Sequence, residues 1–115
     1  MAHSFLHPFC DRTVTLYGMV EGKQVRREVY GCYYAWKDVY RQTAFGPRFD
    51  RQFLLILPEK EEYLAPGWRV LDGIGPETVD WDSFLPVSVP TLSEVAYVQP
   101  WYLAGKLSHT EAGRK

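Results

Sequence analysis

Few groups in this chain have the types and spacing that chemistry requires. His3, His7 and Cys10 lie close together near the start, with Cys32 or His109 as a conceivable fourth member. Nitrogen and sulfur donors in that number are what tetrahedral zinc accepts. Paired cysteine spacing is missing, however, and Pro8 interrupts the segment, so the pattern favours unliganded side chains. Cys10 beside His7 could be a nucleophile with its base, but that needs a depressed thiol pKa and a third, orienting group that no spacing supplies. Cys10 is therefore read as a structural thiol, and a Cys10–Cys32 disulfide is disfavoured in a chain with two cysteines. Asp72, Glu77, Asp80 and Asp82 could offer oxygen ligands or an acid–base pair. They do not follow the calcium-loop pattern and read as turn residues that bond local backbone. A Gly-rich phosphate loop, a G-x-S-x-G elbow and an H-E-x-x-H pair are all missing from the sequence. The expectation is a non-enzyme with no catalytic residue, no cofactor and no metal.

Binding chemistry is better represented. Arg26, Arg27, Tyr30, Tyr33, Tyr34, Trp36, Lys37, Tyr40 and Arg41 interleave cations with rings. On a small barrel, Arg26, Arg27, Tyr34, Trp36 and Arg41 would form a strip on which single-stranded bases stack and phosphates are neutralised. A formal net charge of -1 provides no global field for a polyanion, which makes half core and half protein interface the preferred reading of that strip. Trp101 and Tyr102 stand in an otherwise polar C-terminal stretch, and exposed Trp, Tyr and Arg are the usual anchors of protein interfaces.

The elements that must position these groups are mostly strands. Arg12 to Tyr17 alternates, sending Val14 and Leu16 to one face and Thr13, Thr15 and Tyr17 to the other, the pattern of a half-buried strand. Gln24 to Trp36 is rich in Val, Tyr and Trp and predicts a second, long strand, with Gly31 at a bulge. Tyr33, Trp36 and Tyr40 also fit a helical face, but no N-cap precedes them, so residues 33–40 are taken as strand. Lys37 to Asp50 loses its pattern around Phe45-Gly46-Pro47 and reads as an exposed loop. Arg51 to Leu57 is the clearest core strand, closed by Pro58. Glu59 to Glu62 reads as a solvated turn. Trp68 to Asp72 predicts a short strand, Thr78 to Leu85 one helical turn capped by Thr78 or Asp80, and Thr91 to Val98 the last main strand.

The sum is an all-β, mainly antiparallel chain: a small barrel or sandwich of about five to seven strands with long loops and little helix. A length of 115 residues suits one domain. The expected division is an N-terminal segment at 1–11, a barrel domain at 12–99 and a C-terminal tail or arm at 100–115. No apolar run is long enough to span a bilayer and the start lacks a signal peptide's features, so the expectation is a cytosolic product without membrane contact.

Several of these segments also form a recognisable series. Thr13-Val-Thr-Leu-Tyr17, Val29-Tyr-Gly-Cys-Tyr-Tyr-Ala-Trp36, Phe53-Leu-Leu-Ile-Leu-Pro58, Pro66-Gly-Trp-Arg-Val-Leu-Asp-Gly73 and Leu107-Ser-His109-Thr-Glu111-Ala-Gly-Arg-Lys115 occur in that order. The chain thereby resembles the small minor-capsid and head–tail connector proteins of tailed bacteriophages and prophages. It departs from that pattern at Trp68, where an acidic residue is typical, and at Thr110, where an aromatic is. The resemblance implies a barrel-like, non-enzymatic virion component that forms a ring with identical subunits and meets portal, capsid or tail proteins. It also implies residence in the host bacterial cytoplasm before assembly and in the virion afterwards. Ring assembly needs two different adhesive surfaces on each subunit. The candidate residues for them are Phe45, Pro47, Trp101, Tyr102 and His109.

Overall fold

In the computed structural model, which describes residues 10–58 and 64–114, seven strands are ordered along the chain. They are β1 (Arg12–Val20), β2 (Lys23–Thr43), β3 (Gly46–Pro58), β4 (Arg69–Asp72), β5 (Ser93–Glu94), β6 (Tyr97–Leu103) and β7 (Lys106–Arg114). All pairings are antiparallel, in one sheet of order β5-β4-β1-β2-β3-β7-β6, and no helix occurs among the described residues. Two of the connections are two-residue turns with both residues left-handed, Glu21-Gly22 (φ 51° and 77°) and Ala104-Gly105 (φ 52° and 80°). That geometry matches the right-handed twist of the strands it joins.

β2 holds the sheet together. Its 21 residues would run about 70 Å if straight, at roughly 3.3 Å per residue, yet the longest dimension of the molecule is 49 Å. The strand must therefore bend. The bend is at the expected bulge: Arg12 faces Cys32 and Val14 faces Val29, so one extra residue is inserted in β2, and Gly31 takes it up with φ 72°. On one side of the bulge β2 pairs with β1, and from Tyr33 onward it pairs with β3.

The same bend curls the sheet. Edge strands β5 and β6 are separated by only Val95 and Ala96. Val95 N donates to Trp68 O (2.8 Å), and Ala96 N donates to Gly113 O on the far side of the sheet (2.9 Å). The ladder itself is not closed into a barrel. Inside the curl lie Val14, Leu16, Val29, Tyr34, Phe53, Leu55, Leu57, Val70 and Ala112, all buried. Trp68, at the position departing from the resembled pattern, is buried there too and lies against Gly18.

Several expectations are corrected. β1 is not half-buried: Thr15 and Tyr17 on its second face are as inaccessible as Val14 and Leu16. The connection from Gly73 to Leu92 covers that face, packing Phe84 edge-on against Tyr17 at 4.9 Å, while Tyr17 Oη donates to Pro76 O. Residues 37–50 are not a loop but the distal part of the β2–β3 hairpin, paired up to Thr43 and Gly46. Both faces there meet solvent, so its ladder leaves little apolar alternation to read. Thr91–Val98 breaks into β5 and the start of β6 at Val95-Ala96. The single turn expected in residues 78–85 is present, by contrast, starting at Asp80: Phe84 N donates to Asp80 O and Ser83 Oγ to Asp80 Oδ2. Most of the C-terminal stretch is the β6–β7 hairpin, whose β7 half pairs with core strand β3.

Candidate functional site: two hairpin ends and a groove

Exposed rings concentrate at the ends of the two long hairpins. Phe45 is fully exposed (101%) in the β2–β3 turn, where Thr43 Oγ1 accepts from Phe45 N and donates to Gly46 O. Pro47 is also exposed, facing Gln42 across the ladder. Behind the turn Tyr40 is largely exposed and leans on Phe49, with ring centroids 5.5 Å apart. Arg41 and Arg48 are direct cross-strand partners and both exposed, and neither forms an ion pair among the described residues. Like charges placed opposite one another in a ladder destabilise it. The second hairpin exposes Trp101, Tyr102 and Leu103, and Trp101 stacks on its cross-strand neighbour His109. Four of the five contact candidates, Phe45, Pro47, Trp101 and Tyr102, are thus on the surface at one tip or the other, and His109 is the half-buried base under Trp101.

At the base of the β2–β3 hairpin lies an open groove of about 210 Å3, lined by Phe49, Asp50, Arg51, Leu85, Pro86, Val87, Glu94 and Arg114. Its two walls come from β3 and from the 73–92 connection, which two arginines fasten to the sheet. Arg51 Nη1 donates to Val89 O and Leu92 O (3.2 and 2.8 Å), while its Nε holds Asp38 at 2.6 Å. Those bonds keep the Asp38 carboxyl below its ordinary pKa. Arg69 Nη1 donates to Trp81 O and Phe84 O (2.5 and 2.8 Å), and the guanidinium lies 3.8 Å above the Trp81 ring. Burial lowers the Arg69 pKa, opposed by Glu94 and Asp82. Arg114 crosses the groove floor between Asp50 (2.9 Å) and Glu94 (3.8 Å).

Sequence reasoning missed this groove, although Phe49, Arg51 and Phe53 at alternate positions were a usable sign that the polar stretch before Phe53 is already strand.

The basic-aromatic strip is dispersed. Tyr34 is in the core, its hydroxyl bonded to Thr91 O and Ser93 Oγ (both 2.7 Å), and burial raises its pKa. Trp36 packs half-buried against the same core. Arg26 donates to the carbonyls of Pro76 and Gly75 and pairs with Glu28. Arg27 and Arg41 remain on the surface, on opposite sides of the Gly31 bend.

No protein-family model, curated protein or solved structure matches this chain.

Of the proposed metal ligands, His3 and His7 lie outside the described residues, as does the Glu59–Glu62 turn. No cluster of potential ligands occurs among the residues that are described. Cys10 and Cys32 are both buried thiols without a disulfide. Burial, and then Asp11, pushes the Cys10 thiol up, the wrong direction for a nucleophile. Glu77, Asp80 and Asp82 sit on the outer connection, Asp80 serving its local turn. Among the described residues there is no helix long and apolar enough to cross a membrane.

Proposed function

We propose that this chain is a structural virion protein of a tailed phage or prophage, a head–tail connector or minor capsid component that acts through protein–protein contacts. The observation carrying this reading is the placement of exposed rings. The core is well filled, yet Phe45, Tyr40, Trp101, Tyr102 and Leu103 stand outside it at the two hairpin ends. Rings of this size in water are an expense that a partner's surface recovers on assembly. The five segments carrying the resemblance are β1, central β2, the second half of β3, β4 with its turn, and β7, all sheet-building elements. We read the curled sheet as barrel-like in function: a rigid body from which two arms reach neighbouring identical subunits and a portal, capsid or tail protein.

The test is detection of the chain in particles, because a virion component must co-purify with them. The gene would be expressed with the surrounding prophage, particles purified, and the chain quantified in wild-type and Trp101→Asp/Tyr102→Asp form. The expected result is stable incorporation of the wild type and loss of the variant from particles. A chain absent from both particles and assembly intermediates refutes the reading. Truncation after Val98 is unsuitable, because it would remove β7 from beside β3.

A further inference from the structure

We infer that the β2–β3 hairpin end of one copy docks into the groove of a second copy, with Phe45 as the inserted side chain. This inference rests on the proposed assembly role and names the contact that would build the ring. Three features of the molecule support the match.

Size is the first. An apolar cavity of roughly 150 Å3 holds a benzene molecule, so an open groove of about 210 Å3 has room for one phenyl ring. Chemistry is the second. Leu85, Pro86 and Val87 give the ring an apolar wall, and Val87 is itself 68% exposed and awaiting cover. Arg51 and Arg114 supply guanidinium groups, and Arg51 already sits 5.2 Å over the Phe49 ring, showing that the site tolerates cation–π stacking.

Charge is the third. Residues 37–48 (KDVYRQTAFGPR) hold Lys37, Arg41 and Arg48 against Asp38 alone; the groove lining itself is balanced, with Asp50 and Glu94 against Arg51 and Arg114, but the 73–92 connection that supplies its Leu85–Val87 wall adds exposed Glu77, Asp80 and Asp82 beside it in sequence and no Lys or Arg. The opposed Arg41–Arg48 pair is costly in a free hairpin and is relieved when an acidic surface comes up to it.

A chain cannot satisfy its own groove in this way. Phe45 is four ladder positions beyond Phe49, about 13 Å along a paired hairpin at roughly 3.3 Å per residue, pointing away from the groove's base. Key and socket are therefore different surfaces of the same subunit. Such a heterologous contact propagates from copy to copy and closes as a ring when the rotation permits.

The experiment is cysteine cross-linking of the purified full chain. Ala44→Cys together with Ser88→Cys, two exposed positions that leave the Phe45 ring and the apolar wall in place, should yield, on mild oxidation, a ladder of covalent dimers, trimers and higher species on non-reducing gels. Either single variant should stop at dimers or below, and wild type, whose two cysteines are buried, should give the background. Phe45→Asp should weaken self-association about tenfold or more in sedimentation. Because Phe45 touches no core residue, its near-UV spectrum should be unchanged. Mixing Phe45→Asp with Val87→Asp should restore a dimer and nothing larger, since the pair retains one key and one socket. Absence of a ladder, unaltered association of Phe45→Asp, or binding of a single-stranded oligonucleotide lost on the same substitution without any ladder overturns the inference. A ladder from a chain that never enters particles would refute the virion role instead, and incorporation without a ladder would refute only this contact.

Discussion

Replacing Arg69 by Met should be the most damaging single change to the groove wall, and its size can be worked from the contacts. Two charge-assisted bonds to the carbonyls of Trp81 and Phe84 disappear, each worth about 1.5–3 kcal/mol. The stacking on Trp81 goes as well, about 0.5–2 kcal/mol. Against this, Arg69 Nε is buried without a hydrogen-bond partner among the described residues, since Glu94 is 3.8 Å away, and removing it recovers about 1–3 kcal/mol. Methionine fills much of the arginine stem's space. The balance is a loss of about 4 kcal/mol at mid-range, a fall of roughly 15 °C in the thermal midpoint for a domain of this length. Urea unfolding measures it directly, as a lower midpoint at unchanged slope. Hydrogen exchange should show the amides of residues 81–89 opening before those of the β1–β2 ladder. Glu94→Gln, which weakens two 3.8 Å ion pairs of a 36%-exposed carboxylate, to Arg69 and Arg114, should cost less than about 1 kcal/mol. If Arg69→Met costs no more than Glu94→Gln, the fastening of the connection through its carbonyls is refuted.

Two further outcomes follow from the packing and the charges. Gly18→Ala places a methyl group inside the indole of buried Trp68, an overpacking that should cost about 1–3 kcal/mol or prevent folding, read from the urea midpoint; a neutral result would mean that Trp68 is free to move. Asp38 binds its proton less tightly in the folded chain, because Arg51 hydrogen-bonds the carboxylate. Its stabilisation is therefore complete above the ordinary aspartate pKa near 4 and is lost as pH falls through the depressed value, so Asp38→Asn should flatten the decline in urea midpoint below about pH 4, and parallel curves there would refute it.

The parts of this fold that could be read from the residues each carry a local sign: the alternation of β1, the continuous apolar run in the second half of β3, and the glycine at the Gly31 bulge. Two kinds of segment escape such reading. The hairpin over 37–50 carries polar residues on both faces, so its order comes mostly from backbone pairing, and the one trace in hydrophobic period is Phe49 in step with Arg51 and Phe53. β7 buries only small groups, Thr110, Ala112 and Gly113, and its partner β6 contains Pro100, a residue acceptable only because β6 is an edge. The departure of Trp68 from the resembled pattern has a local explanation: the indole fills the space left by Gly18, two residues that are 50 positions apart in sequence and inseparable in the core. The groove left little sign of itself for the same reason, since Arg51 of β3 holds the connection beside it through the carbonyls of Val89 and Leu92, which any residue offers.

The long-range design of the chain separates stiffness from adhesion. Tyr34, Arg51 and Arg69 direct polar atoms inward to carbonyls of the 70–92 region, which converts a connection with no regular structure into a fixed wall. Those bonds are buried or partly buried, where an unmade partner is costly, which favours one arrangement of the wall over many. The hairpin ends are built in the opposite way, from exposed ladders whose cross-strand pairs include a repelling Arg41–Arg48 couple. Stability would be served by replacing that couple with an arginine–glutamate pair. A chain that keeps two cations beside a fully exposed phenyl ring gives up ladder energy in isolation and regains it only against an acidic, apolar surface, which is what its own 73–92 connection presents.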